Sequence, residues 1–100
     1  MLLLFLLVMG RSEGLVEECP RRCECLASFV DCSNRRLASI PPDLPSWTRR
    51  LDLSNNGLRE LEPSFFASFA SLRTLNLKGN KLQHLPLAIG RIANLSELNL

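Results

Sequence analysis

Two stretches of the chain repeat the same pattern of apolar and polar positions. Leu51-Asp52-Leu53-Ser54-Asn55-Asn56-Gly57-Leu58 matches Leu75-Asn76-Leu77-Lys78-Gly79-Asn80-Lys81-Leu82 at every apolar position and at the asparagine. Leu72 completes the second copy as Leu-x-x-Leu-x-Leu-x-x-Asn-x-Leu, and Leu95, Leu98 and Leu100 open a third. Val30, Cys32 and Leu37 mark an earlier, degenerate copy. Leu51 and Leu53 alternate with Asp52, the period of a short strand with one buried face. Asn56 and Asn80 fall at the sharp turn that follows, where backbone groups are buried; an inward asparagine amide can both donate to and accept from them. The downstream halves match too: Leu61, Phe66 and Phe69 correspond to Leu85, Ile89 and Ile92, with Ile40 in the Leu61 place of the degenerate copy. Pro41, Pro42 and Pro45 there predict an extended connection, not a helix.

One such copy cannot bury its own leucines, and stacking does it. The pattern predicts a leucine-rich-repeat solenoid with short parallel strands on a concave face and irregular or short helical turns on a convex one. Its first repeat needs a cover. When the leucines point inward, the strand neighbours point out across the concave face. Those are Arg50, Asp52 and Ser54, then Thr74, Asn76 and Lys78, then Glu97 and Asn99, with Asp31 and Ser33 extending the row. They are polar, mixed in charge and without an evident structural task, so they form the candidate binding face.

Residues 2–9 are an unbroken apolar run, too short for the ~20 residues a membrane span needs and of the length of a signal-peptide core. Small residues follow, and Ser12-Glu13-Gly14 predicts a cut after Gly14. The expected division is a leader at 1–14, a cysteine-rich cap at 15–47 and repeats at 48–100. The chain stops within its third copy, which reads as truncation of a longer protein. Membrane anchoring is expected only through sequence beyond Leu100.

The four cysteines, Cys19, Cys23, Cys25 and Cys32, are even in number and follow that leader, which favours disulfides and an oxidising compartment. Three connectivities remain open on spacing alone. A zinc site fits poorly: Cys23-x-Cys25 is tighter than usual ligand spacing, and the only histidine, His84, is far away. Cys19-Pro20, Cys23-Glu24-Cys25 and Cys32-Ser33 resemble the N-terminal flanking cap of extracellular leucine-rich-repeat proteins, such as small matrix proteoglycans, Slit-like guidance proteins and neural receptors. That resemblance covers residues 19–100 and implies pairing of Cys19 with Cys25 and Cys23 with Cys32. Residues 42–48 followed by Leu51-Asp52-Leu53-Ser54 are similar to the same junction in transmembrane proteins that combine leucine-rich repeats with immunoglobulin-like domains. Two positions depart from the family pattern. Arg35 stands in the asparagine's place in the degenerate copy, so the ladder is expected to start at Asn56. Leu85-Pro86-x2-Ile89-Gly90-x-Ile92 looks more like an intracellular repeat.

Asn94-Leu95-Ser96 is an N-glycosylation sequon. Pro42-x-x-Pro45 has polyproline-ligand spacing but is better read as a rigid connection within the cap. Three arginine pairs, Arg21-Arg22, Arg35-Arg36 and Arg49-Arg50, could attract sulfated polysaccharide if gathered at one end; interspersed acids favour an ordinary mixed surface. The net charge of +2 argues against a nucleic-acid binder. No nucleophile–base set and no phosphate-cradling glycine loop can be assembled, so no catalytic residue, cofactor or metal is expected. The function implied is a scaffold that binds an extracellular protein. A structural matrix protein of the proteoglycan kind, or the docking region of an exported enzyme, are the alternatives.

Overall fold

The computed structural model describes residues 18–100. The expected leader and its cut after Gly14 lie outside the described residues. Five three-residue strands make one sheet: β1 (Glu24–Leu26), β2 (Phe29–Asp31), β3 (Arg50–Asp52), β4 (Thr74–Asn76) and β5 (Glu97–Asn99), ordered as in the sequence. β1 and β2 form an antiparallel hairpin; every later pair is parallel. The register puts Val30 beside Leu51, Leu51 beside Leu75 and Leu75 beside Leu98. The degenerate copy is therefore a true rung of the solenoid.

The ladder continues beyond the strands because each rung repeats the same backbone bonds. At the entry, the N–H groups of Arg49 and Arg50 both donate to Ser28 O, those of Arg73 and Thr74 to Arg49 O, and those of Ser96 and Glu97 to Arg73 O. At the exit, Cys32 N donates to Asp52 O, Leu53 N to Asn76 O and Leu77 N to Asn99 O, each at 2.8 Å. One position past the exit turn, Asn34, Asn55 and Gly79 all take positive φ (56°, 55° and 74°). Asparagine and glycine are the residues that tolerate this region best. At Gly79 a Cβ would in addition meet the Asn55 side chain, which would have to move aside.

Inward side chains stack in aliphatic layers. Val30, Leu51 and Leu75 form one, Cys32, Leu53 and Leu77 the next, with Leu37, Leu58 and Leu72 around them. On the convex side the first repeat returns through a 3-10 helix, Pro63–Ser68, and the second through another, Leu87–Arg91. Phe66 and Phe69 enter the core, and Phe65 packs on both, with ring centroids 4.9 and 4.6 Å apart. The degenerate copy returns through turns built on buried Pro41 and Pro45, with Thr48 Oγ1 donating to Pro45 O at 2.7 Å. Burial fades toward β5: Leu82, Leu85, Ile89, Leu95 and Leu98 are only partly covered, and Leu100 is 61% exposed.

The cap is stapled as Cys19–Cys25 and Cys23–Cys32, with S–S distances of 2.05 and 2.02 Å, and no cysteine is free. Cys23 and Cys32 are core residues; the first bridge joins exposed Cys19 to half-buried Cys25, the central residue of β1, which packs against that core. The cover over the first rung is therefore a disulfide-tied hairpin whose inner strand, β2, is itself part of the sheet.

Candidate functional site

The concave face is built from strand positions that alternate with the buried leucines. Register sorts them into two rows. The first runs Phe29, Arg50, Thr74, Glu97 and the second Asp31, Asp52, Asn76, Asn99. Directly paired residues of an antiparallel hairpin share a face. Leu26, opposite Phe29, and Glu24, opposite Asp31, therefore extend both rows onto β1.

The two rows differ in what their side chains do. Asp31 Oδ1 accepts the N–H and the hydroxyl of Ser33 at 3.0 and 2.6 Å. Asp52 Oδ1 accepts the same two groups of Ser54 at 2.9 and 2.6 Å, and Asn76 Oδ1 accepts Lys78 N at 3.0 Å. These local turns tie the strand exits of β2, β3 and β4. The expectation that the outward side chains lack a structural task is thus corrected for Asp31, Ser33, Asp52, Ser54 and Asn76. Ser54 is also only 7% exposed, so its hydroxyl is committed to Asp52 rather than presented outward. Asn99 Nδ2 donates to Glu97 Oε1 at 3.3 Å.

The first row is less engaged. The Arg50 guanidinium lies over the Phe29 ring, 4.9 Å from its centroid, and makes no ion pair among the described residues. Leu26, beside them, is 76% exposed. A stacked arginine beside exposed apolar surface combines two features common in interface anchors. Phe29, Arg50, Asp52, Thr74, Asn76, Glu97 and Asn99 all line one shallow hollow across β2–β5. Phe29 was missed from the sequence although it lies two residues before Asp31 in the same alternation. Leu26 carried no such signal, because Ala27 makes the hairpin turn at φ 52° without glycine or asparagine.

Charge at the cap end is balanced by Arg35. Its guanidinium lies 3.7 Å from Glu24 Oε1 and 3.6 Å from Asp31 Oδ1, and Nη1 donates to Ser33 O at 2.7 Å. Partial burial raises the Asp31 pKa, but the Ser33 hydroxyl, the Ser33 N–H and the Arg35 charge outweigh it. The carboxyl is held below the ordinary aspartate value.

Asn56 and Asn80 form the ladder behind this face. Asn56 Oδ1 accepts the N–H groups of Arg35 and Leu37 at 2.9 and 3.0 Å, and Nδ2 donates to the carbonyls of Cys32, Leu53 and Ser54. Asn80 Oδ1 accepts Leu58 N, and Nδ2 donates to Leu53 O and Leu77 O. At the first rung Arg35 offers only its backbone N–H to Asn56. Asn94 is exposed beside the strand-entry edge, its Nδ2 donating to Ala70 O at 2.7 Å.

Two arginine pairs come together, since Arg22 Nη2 donates to Arg35 O at 3.2 Å. Arg49-Arg50 lies at the strand-entry end, so the three pairs do not gather. His84 is exposed beside Lys81, Gln83, Arg59 and Glu60. Among the described residues there is no cluster of potential metal ligands and no helix long and apolar enough to cross a membrane.

Stacked parallel rungs, a shared asparagine ladder and a two-bridge cap define a leucine-rich-repeat solenoid with a cysteine-rich N-terminal cap. The family model for "Leucine rich repeat" matches residues 48–100, and that for "Leucine rich repeat N-terminal domain" matches residues 18–45. The chain belongs to the leucine-rich-repeat family. It is 40% identical over 94 residues to "Leucine-rich repeats and immunoglobulin-like domains protein 3" of Homo sapiens, covering 92% of this chain and 8% of that protein. Against "Amphoterin-induced protein 3" of Rattus norvegicus it is 42% identical over 64 residues, 64% of this chain and 13% of the relative. Against "Leucine-rich repeat and immunoglobulin-like domain-containing nogo receptor-interacting protein 3" of Mus musculus it is 47% identical over 64 residues, 62% and 11% of the two chains. The chain thus spans a small fraction of these relatives' length, and none of their names is that of an enzyme.

Proposed function

We propose that these residues are the N-terminal part of an extracellular protein-binding scaffold, with a cap over 15–47 and repeats over 48–100. Partner contact starts on the concave face, at Phe29 and Arg50. The observation that carries this is the contrast between the two rows. Asp31, Asp52 and Asn76 are spent on their own turns, whereas Arg50 is stacked, exposed and unpaired among the described residues. Thr74 and Glu97 continue its row across β4 and β5. The disulfide-tied cap supports an oxidising, extracellular setting. The partner is an extracellular protein, in keeping with a relative whose name describes interaction with a receptor.

The test is to present the secreted, disulfide-bonded chain to a panel of purified extracellular domains and of matrix components including collagen and heparin. Saturable binding to a protein domain, insensitive to heparin competition, supports the scaffold. Binding confined to collagen or heparin contradicts it and favours a matrix role.

A further inference from the structure

We propose that Asn94 carries an N-linked glycan rooted at the strand-entry edge of the solenoid, where it leaves the concave face open. This rests on the extracellular setting proposed above. Asn94-Leu95-Ser96 satisfies the acceptor sequence. The structure adds three observations. Asn94 and Ser96 are both exposed, while Leu95 between them is only half-buried. The segment is the short connection between the second 3-10 helix and β5, not the interior of a regular element. Finally, the bond that Asn94 makes is compatible with the modification.

That compatibility follows from atom counting. In the transfer, Asn94 Nδ2 attacks the anomeric carbon of a polyprenyl-diphosphate-linked oligosaccharide. An N–C bond forms, the anomeric C–O bond to the diphosphate breaks, and one amide proton leaves to a base of the transferase. The product is a secondary amide with one N–H remaining. One N–H is all that the bond to Ala70 O uses. The glycosylated side chain therefore retains a donor for the contact that joins this turn to the preceding repeat.

The position of the root has a consequence for the binding face. Asn94 lies before β5, and its contact Ala70 lies before β4, on the same flank as Arg49, Arg73 and the shared strand-entry carbonyls. Arg50, Thr74 and Glu97 belong to the concave row beyond those carbonyls. The sugar and the proposed protein partner thus occupy separate surfaces.

The experiment expresses the full chain in a eukaryotic secretory cell, alongside Ser96→Ala, Ser96→Thr and Asn94→Gln. Ser96→Ala removes the acceptor sequence while leaving the Asn94–Ala70 bond, and Ser96→Thr keeps the sequence intact. Peptide-N-glycosidase is expected to increase the mobility of wild type and Ser96→Thr and to leave the other two unchanged. Mass mapping is expected to show Asn94 converted to Asp by the enzyme. Secreted, disulfide-bonded wild type with unmodified Asn94 overturns the proposal, as does a glycosidase-sensitive shift that persists in Ser96→Ala. Retention of the chain in the cytosol with reduced cysteines overturns the extracellular setting instead, and free-thiol labelling distinguishes that failure from the first two.

Discussion

Asn56 and Asn80 share one backbone acceptor: each donates from Nδ2 to the carbonyl of Leu53, at 2.9 Å. That carbonyl sits between two rungs, so the side chains of successive repeats are coupled through a single buried oxygen. The arrangement is directional. Asn56 reaches back to the cap at Cys32, Arg35 and Leu37, while Asn80 reaches back to Leu53 and Leu58.

Asn56→Ala is expected to destabilise the chain more than Asn80→Ala. Asn56 is buried, and its loss strands two N–H groups and leaves carbonyls under-satisfied, each buried unpaired group costing about 1–3 kcal/mol. Water can reach half-buried Asn80 and replace part of its bonding. Urea denaturation is expected to give a loss of about 3 kcal/mol or more for Asn56→Ala and clearly less for Asn80→Ala.

Gly79→Ala is expected to cost more than about 1 kcal/mol, through its positive φ and the contact with Asn55. Gly57→Ala is the control, since its nearest atom, Leu37 O, would be 3.5 Å from the new Cβ. Equal thermal midpoints for the two variants would contradict the forced turn.

The two bridges close loops of similar length, with separations of 6 and 9 residues, so chain entropy alone predicts similar effects for removing either. Burial does not. Replacing Cys23 and Cys32 by serine puts two hydroxyls in the core, whereas Cys19 is exposed and Cys25 half-buried. The Cys23/Cys32 double variant is expected to lose the larger part of the about 2–5 kcal/mol range for native bridges. Thermal unfolding of the two double variants measures the difference.

Asp31 gives the cap an acid-sensitive component. Its folded pKa is depressed, so the stabilisation is fully present above the unfolded value of about 3.9 and is lost as pH falls through the folded value. Unfolding followed by pH titration is expected to show a decline below pH ~4 that is reduced in Asp31→Asn.

Much of this was legible in the sequence because a repeat announces itself. Leu51, Leu53 and Asn56 recur as Leu75, Leu77 and Asn80, and two occurrences of one spacing fix strand, turn and inward face together. The bridge pairing was legible only through family resemblance, since spacing left three connectivities. Phe29 was available from the alternation of β2, yet a search for polar outward residues passes over an aromatic. The turns at Asp31, Asp52 and Asn76 were hidden for a different reason. An outward polar residue in a strand looks the same whether its carboxyl faces a partner or bends back to the residue two positions on. The β1–β2 hairpin gave no warning, because Ala27 adopts a conformation its composition does not advertise.

The most direct test of the concave face is affinity for a partner identified by the extracellular-domain panel, measured by surface plasmon resonance. Two sets of substitutions are compared. Phe29→Ala with Arg50→Glu removes the stacked anchor and leaves the asparagine ladder, the bridges and the Asp52–Ser54 turn untouched. Arg59→Glu with Lys81→Glu changes exposed charges off the strands. With both variants shown to be folded by thermal denaturation, the first is expected to weaken binding at least tenfold, about 1.4 kcal/mol, and the second to leave it unchanged. Unchanged affinity in the folded Phe29→Ala/Arg50→Glu variant would contradict the assignment.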